Sequence, residues 1–307
     1  MSDIKLFRTS NGTVEEMKGT SVAVEKSLQK LIEQHLDAFL GIRFLASEHN
    51  TGKVHGGRID TLGIDENGYP VIIEYKRALN ENVINQGLFY LDWLMDHKAD
   101  FKLLVMDGLG KEQADNIEWN SPRLLCIAGD FTNYDEHAVK QIPRNIELIR
   151  YRRYGDGFLL FELVNVIAIQ PIEDDLTTGN PVKARGKYTD KTIIESLAES
   201  SQHTRDRFEA IRAFLQALGD DVQMKSLKLY VAFKRIKNFA CLEVQASSGV
   251  IRAFVKVNPD TVVLEQGFTR DVRMIGHWGT GDLEITIRND EDFERAKSLL
   301  LKGYEAS

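Results

Sequence analysis

Three charged residues interrupt two apolar segments that otherwise have the pattern of a β-hairpin. In GRIDTLGIDENGYPVIIEYKR (57–77), Asp60 lies in the first apolar run, and Glu74 and Lys76 lie in the second. Side chains alternate between the faces of a strand, so Glu74 and Lys76 share a face, while Val71, Ile73 and Tyr75 take the other face and can pack into a core. A register symmetric about Asn67 places Asp60 directly opposite Glu74.

This register requires a hairpin loop of odd length. A tight two-residue turn at residues 67–68 would pair Asp60 with Tyr75 and send the carboxylate to the other face, because a slip of one residue reverses every side chain. An odd-length loop, or a bulge near Gly63, keeps Asp60 and Glu74 on one face.

The predicted carboxylate pair suits metal-assisted hydrolysis of phosphodiesters. Two carboxylates this close repel each other unless a cation lies between them, and oxygen ligands suit Mg²⁺ or Mn²⁺. Such a metal activates water and neutralises charge on a phosphate. Lys76 would hold the attacking water or stabilise the transition state. The alternative is a surface hairpin whose charges form cross-strand ion pairs in water.

Two predicted helices carry residues that could join the pair. In the helix predicted over 22–40, Glu25 shares the azimuth of the apolar stripe, and a buried glutamate needs a partner. In a first helical turn it can instead face solvent. The helix predicted over 81–97 carries Gln86 and Tyr90 one turn apart on one face, where both could reach a nucleotide or a metal-bound water. The alternative is a surface pair with Tyr90 packed in the core.

Together these residues resemble the PD-(D/E)XK nuclease superfamily, and most closely the branch of the archaeal single-strand nuclease NucS and the RecB nuclease domain. The likeness covers roughly residues 20–130 and depends on GRID (57–60), EYK (74–76), Q-x-x-x-Y (86–90) and the helical Glu25. It implies that Asp60 and Glu74 bind Mg²⁺ or Mn²⁺ with help from Glu25. It also implies catalytic roles for Lys76 and Gln86, and Glu48 resembles a further carboxylate of this branch.

The resemblance implies a mixed α/β fold: a restriction-endonuclease-like central mixed sheet flanked by helices, followed by a smaller α+β domain. The nuclease-like domain is predicted over 1–170, a linker over 171–191 and the accessory domain over 192–307. The accessory domain resembles an uncharacterised domain often attached to such nucleases, and it would bind substrate or mediate a homodimer. The substrate implied is nucleic acid, above all DNA, in repair or defence.

Basic residues around the hairpin are candidates for phosphate contacts. Lys53, His55 and Arg77 flank the predicted metal site. Arg58 shares the face of Asp60, so it either meets phosphate or pairs with the carboxylates.

Composition and charge limit the alternatives. The chain is 43% hydrophobic and 28% charged, as in soluble globular proteins. It has no apolar run of the roughly 18–20 residues that span a membrane and no secretion signal, so we expect a cytoplasmic protein without a membrane partner. Cys126 and Cys241 lie far apart in apolar runs, typical of core thiols. The net charge of −7 favours the alternative function, a catalytically silent nuclease fold that binds or scaffolds through its C-terminal domain.

Four segments carry further expectations. Residues 101–109 are predicted as a buried strand and residues 227–235 as one continuous strand. The basic residues between 225 and 237 indicate a solvated sheet face, with a nucleic-acid surface as the alternative. The loop at 277–282 is predicted to be a turn with a packed Trp278, with a small-ligand site as the alternative.

Overall fold

A computed structural model describes residues 4–20, 26–76, 83–155, 157–165 and 192–307. The chain divides into two compact units, Met1–Ile167 and Ala168–Ser307. The predicted linker and the predicted site residues Glu25 and Arg77 lie outside the described residues, as does the side chain of Lys76.

The first unit begins with a small hairpin and continues into a larger sheet. The hairpin consists of β1 (Leu6–Ser10) and β2 (Thr13–Met17). Its turn lies at Asn11 and Gly12, as predicted, and both have positive φ, 48° and 78°. The other strands of the unit are β3 (Gly19–Thr20), β4 (Ile42–Asn50), β5 (Arg58–Asp65), β6 (Pro70–Lys76), β7 (Arg123–Ala128), β8 (Asn145–Tyr154) and β9 (Phe158–Leu163).

The larger sheet is mixed. Its order is β3-β8-β7-β6-β5-β4, with β9 paired to β8. The pairs β6–β7 and β7–β8 are parallel, and the other pairs are antiparallel. The predicted mixed α/β class is therefore confirmed. The helices of the unit are α1 (Lys26–Gln34), α2 (Leu36–Leu40), α3 (Gly52–His55), α4 (Val83–Asp96), α5 (Lys98–Leu109), α6 (Lys111–Asp115) and α7 (Asn133–Gln141).

The core of this unit lies between the sheet and its helices. Every residue of β7 is buried, as expected for a central strand with parallel neighbours. Residues Ile72 and Leu124 of the sheet share one apolar cluster with Leu94 of α4 and Phe101 of α5. The sheet thereby packs against α4 and α5, and such packing supports a site built on it.

Two predictions for the first unit need correction. Residues 101–109 form most of helix α5 and are not a strand. Phe101 and Val105, one turn apart, are fully buried, whereas Leu103 is half exposed, so the apolar run has helical and not alternating periodicity. The helix predicted over 22–40 is interrupted at His35 between α1 and α2, and it ends as predicted at Gly41, which has a φ of 63°.

The second unit is a six-stranded antiparallel sheet with helices. Its order is β10-β11-β12-β13-β15-β14. The strands are β10 (Gln223–Ser226), β11 (Val231–Lys234), β12 (Asn238–Gln245), β13 (Val250–Val255), β14 (Thr269–Asp271) and β15 (Leu283–Ile287). The helices are α8 (Ile193–Glu199), α9 (Gln202–Gln216) and α10 (Asp290–Glu305), the last capped by Asn289 as predicted.

Three predictions for the second unit are wrong. The strand predicted over 227–235 is instead the turn and second strand of the β10–β11 hairpin. Of the basic residues between 225 and 237, Lys225 and Lys234 are buried, with 8% and 2% exposure, while Lys228 is exposed, so the run does not form one solvated face. In the loop at 277–282, the His277 ring stacks on Phe254, with centroids 4.3 Å apart, while Trp278 is 45% exposed.

Both cysteines, Cys126 and Cys241, are buried thiols outside any disulfide, as predicted. Within the described ranges, no helix combines the length and hydrophobicity needed to cross a membrane.

Candidate active site at the β5–β6 hairpin

The register of β5 and β6 is the one the sequence predicts. Thr61 pairs with Ile73 and Ile64 with Pro70, so one step further along this register Asp60 lies opposite Glu74. The connecting loop has odd length: the Asp65 N–H donates to the Tyr69 carbonyl across residues 66–68. A loop of this length keeps both carboxylates on one face.

Each carboxylate is anchored to the backbone of the opposite strand. The Asp60 N–H donates to Glu74 Oε1 at 3.1 Å, and the Tyr75 N–H donates to Asp60 Oδ2 at 3.0 Å. These bonds take the place of the next backbone hydrogen bonds between β5 and β6, whose regular pairing ends at Thr61 and Ile73. Because the backbone holds one oxygen of each group, the two side chains are oriented before any ligand arrives.

Glu74 sits where a negative charge is unfavourable. It is 1% exposed. Burial, and next the charge of Asp60, raise the pKa of Glu74 to about 9, with a further contribution from Glu48, while the hydrogen bond from the Asp60 N–H opposes the rise. At neutral pH this carboxyl therefore holds a proton unless a cation takes its place.

The donor set suits a hard divalent cation. Asp60 and Glu74 offer carboxylate oxygens, the ligands that Mg²⁺ and Mn²⁺ prefer, and a cation beside them would offset both burial and mutual repulsion. Lys76 is the last residue of β6 and is paired with Ala128. By strand alternation it belongs to the face of Glu74.

A third carboxylate, Glu48, lies on the neighbouring strand. Ser47 pairs with Thr61 and His49 with Ile59, so Glu48 continues the row of Asp60 and Glu74 across the sheet. Glu48 has a φ of 53°, a left-handed backbone conformation that is uncommon for a residue with a side chain.

Glu48 forms an ion pair with Arg58, with 2.5 Å between Oε2 and Nε. Of the two roles left open for Arg58, the structure thus shows the pairing with a carboxylate. The Arg58 side chain is 65% exposed, so its remaining donors face solvent at the edge of the acidic row.

Tyr90 holds the start of β5 in place. Its hydroxyl accepts a hydrogen bond from the Arg58 N–H at 3.1 Å and one from Gln86 Nε2 at 3.2 Å. Tyr90 is 4% exposed, which agrees with the alternative of a tyrosine packed in the core. A Cβ on Gly57 would lie 2.6 Å from the Tyr90 ring, so the chain passes closely over this ring. Tyr90 is therefore a positioning residue, while Gln86 is exposed on the same helix face.

Behind the pair, α1 is tied to the sheet by Glu33, whose contacts the sequence did not reveal. Glu33 Oε1 accepts hydrogen bonds from Thr61 Oγ1 at 2.6 Å, Ser47 Oγ at 2.9 Å and Gln29 Nε2 at 3.1 Å. Gln29 Nε2 also lies 3.4 Å from the Asp60 carbonyl oxygen. The sequence feature that points to this contact is the pair Gln29 and Glu33, two polar residues one helical turn apart, with Glu33 at the edge of the apolar stripe.

Lys53 and His55 lie on α3, in the connection between β4 and β5. Thr51 closes this connection through Gly57: the Thr51 hydroxyl donates to the Gly57 carbonyl and accepts from the Gly57 N–H, both at 2.9 Å. Lys53 is exposed, and the half-buried His55 ring packs against Phe89 of α4, with centroids 5.0 Å apart.

Comparison with known proteins gives two matches. Residues 194–307 match the family described as "Domain of unknown function (DUF5655)". Over 309 aligned residues, the chain is 26% identical to a Haemophilus influenzae (strain Rd) protein described as "Uncharacterized protein", covering 98% of this chain and all of the relative. Neither description names a nuclease, and no solved structure matches the chain.

Proposed function

We propose that the first unit is a divalent-metal-dependent nuclease whose centre is the Asp60–Glu74 pair. The observation that carries the proposal is the opposition of two carboxylates, each with one oxygen bound to the backbone of the other strand. A purely structural hairpin gains nothing from burying a carboxyl whose pKa is raised to about 9. Such perturbed groups cluster at functional sites.

In this proposal Asp60 and Glu74 hold Mg²⁺ or Mn²⁺, with Glu25 as the supporting carboxylate. When bound, the metal supplies an activated water and stabilises negative charge on the phosphate. Lys76, on the same strand face as Glu74, would donate to the attacking water or to the phosphate oxygens in the transition state. Gln86 would position water or substrate from α4.

The proposed substrate is DNA, approached from the exposed side of the acidic row. Arg58, which pairs with Glu48 of that row, and Lys53, on α3 shortly before β5, are both exposed, so both could meet phosphates. With a net charge of −7, binding would depend on this local group and not on a wide basic surface.

Cleavage of labelled single-stranded, duplex and flap DNA with Mn²⁺ or Mg²⁺ tests the proposal. Asp60→Asn and Glu74→Gln keep the shape of each side chain and remove its charge, and Lys76→Ala tests the amine. We expect metal-dependent cleavage by wild type and its loss in all three variants. Glu112→Gln, at an exposed position of α6, is the matched control and should cleave normally.

Two results would contradict the proposal. Cleavage that survives all three substitutions would mean a contaminant or another site. Absence of cleavage together with absence of Mn²⁺ binding would favour the scaffolding alternative. Binding of Mn²⁺ is measured as a shift of the melting temperature that grows with metal concentration.

A further inference from the structure

A second group of metal-ligating side chains includes a histidine of the β4–β5 connection. Ligand atoms of His55, Asp92 and Asp96 all lie within 4.8 Å of one another. His55 ends α3, while Asp92 and Asp96 lie one turn apart on the exposed face of α4. The group therefore joins two elements that are separate in sequence.

The environment of His55 leaves a ring nitrogen in need of a partner. Nδ1 is occluded from solvent and has no hydrogen-bond partner among the described residues. The ring is held between Phe89, at 5.0 Å, and His97, at 5.8 Å between centroids. An occluded ring nitrogen without a partner is unfavourable. A cation bound to this imidazole would remove part of that penalty.

The two aspartates carry like charges on one face of α4, and both are exposed. Like charges four residues apart on a helix repel each other. His97, beside them, is fixed by its own contacts: its Nδ1 lies 2.8 Å from the Trp93 carbonyl oxygen and its ring stacks on Trp93. A bound cation would relieve the repulsion between Asp92 and Asp96.

We propose that His55, Asp92 and Asp96 bind a divalent transition-metal cation of the Zn²⁺ type. One imidazole nitrogen and two carboxylate oxygens form a mixed set that zinc accepts, unlike the all-oxygen set at Asp60 and Glu74. Ligands of a tetrahedral zinc are about 3.4 Å apart when each bond is about 2.1 Å. The exposed aspartates can close the remaining distance by rotation, and water can take the fourth position.

Bound there, the cation would act as a clamp between α3 and α4. The clamped segment runs from Thr51 to Gly57 and leads directly into Arg58 and Asp60 of the hairpin. Tyr90, on the same helix as the aspartates, already fixes the Arg58 N–H. A second link between α4 and this segment would stabilise the segment that leads into β5. In this proposal His55 binds the cation and does not make the phosphate contact that the sequence predicted for it.

Titration of the metal-free full chain with Zn²⁺ tests the clamp, with calorimetry for stoichiometry and the melting temperature as a second readout. In Glu74→Gln, which lacks a carboxylate of the hairpin site, we expect one Zn²⁺ to bind and raise the melting temperature. Asp92→Asn and Asp96→Asn should each weaken Zn²⁺ binding by about tenfold or more. Asp107→Asn, at an exposed position of α5, should bind Zn²⁺ as wild type does.

The two metal sites are separated by a further variant. Glu74→Gln removes a ligand of the hairpin and should leave the Zn²⁺ clamp intact, so the clamp can stand even where the proposed nuclease activity fails. Zn²⁺ binding unchanged in the Asp92→Asn/Asp96→Asn double variant, or lost only in Glu74→Gln, would overturn the clamp, as would absence of binding to wild type. Both asparagine positions are exposed, and circular dichroism of the metal-free variants checks that they fold.

Discussion

Asp60 and Glu74 exchange hydrogen bonds through the backbones of their two strands, so that each carboxylate is held by the strand that carries the other. The Asp60 N–H donates to Glu74, and the N–H that follows Glu74 donates to Asp60. A backbone donor favours the charged form of a carboxylate. Burial and mutual repulsion nevertheless prevail at Glu74 and raise its pKa to about 9. The pair is thus ordered and, without a cation, keeps a proton on Glu74 at neutral pH.

The first prediction concerns the pH dependence of stability in the metal-free protein. Between an ordinary glutamate pKa of 4.5 and the folded value of about 9, the unfolded chain releases a proton that the folded chain keeps. Stability from Glu74 is therefore full below pH 4.5 and is lost as the pH rises toward 9. Each unit of difference between the two pKa values corresponds to about 1.4 kcal/mol.

Urea unfolding at several pH values between 5 and 9 measures this effect. Wild type should lose more stability with rising pH than Glu74→Gln, which has no proton to release. Mn²⁺ should reverse the trend in wild type, since a cation competes with the proton and binds more tightly as the pH rises. Parallel curves for wild type and Glu74→Gln would contradict the raised pKa.

The second prediction concerns the close approach of Gly57 to Tyr90. In Gly57→Ala the new methyl group would lie 2.6 Å from the Tyr90 ring, so the start of β5 must move. We expect a loss of about 1–3 kcal/mol in the free energy of unfolding. A smaller loss from the same change in a Tyr90→Leu background would identify the ring as the obstacle.

Gly157→Ala is the matched control for that substitution. Nothing lies within 4 Å of a Cβ at Gly157, so its stability should stay within about 0.5 kcal/mol of wild type. Equal losses from both substitutions would mean that the contact with Tyr90 does not set the effect.

The third prediction concerns the ion pair at the other end of the hairpin. Arg123 is 3% exposed; it donates to both oxygens of Glu147 at 2.8 Å and to Asp65 at 2.9 Å. Asp65 in turn accepts from the N–H groups of Asn67 and Tyr69 in the loop. Arg123→Met would leave buried carboxylates without their cation, which costs about 3–5 kcal/mol.

Chemical denaturation of Arg123→Met checks this value, with Arg8→Met on the exposed face of β1 as the control. The control should change stability little. A small loss in Arg123→Met would show that the carboxylates accept protons or water without strain.

The placement of Asp60 and Glu74 on one face could be predicted because it depends on local rules. Alternation along each strand and the parity of the loop length decide the face, and both can be read from residues 57–77. The backbone anchoring of the two carboxylates could not be predicted, because it requires the strands to separate beyond Thr61 and Ile73.

Ambiguous periodicity explains the error at α5. The apolar run from Leu103 to Met106 is compatible with a strand or a helix, and only packing of Phe101 and Val105 against the sheet decides between them. The group of His55, Asp92 and Asp96 was missed for another reason. Its members are far apart in the chain and meet only when α3 packs on α4, which no local pattern reports.

The last prediction concerns Glu243 of β12 in the second unit. Burial raises the pKa of Glu243 to about 7 with a contribution from Glu284, although the charge of Arg252 and a hydrogen bond from the Trp278 backbone N–H oppose the rise. Between about pH 6 and 8 the carboxyl should lose its proton, and a charged acceptor strengthens the bond to Trp278. Because the Trp278 ring is 45% exposed, its surroundings should change as the loop tightens.

Fluorine NMR of 5-fluorotryptophan protein resolves this change from the other tryptophans, with the Trp278 signal assigned by Trp278→Phe. In wild type this signal should titrate with a midpoint near the pKa of about 7, and in Glu243→Gln it should stay constant. Glu291→Gln, at an exposed position of α10, should titrate as wild type does. A titration that persists in Glu243→Gln would assign the event to another group, and His277, next to Trp278 in the loop, would be the first residue to substitute.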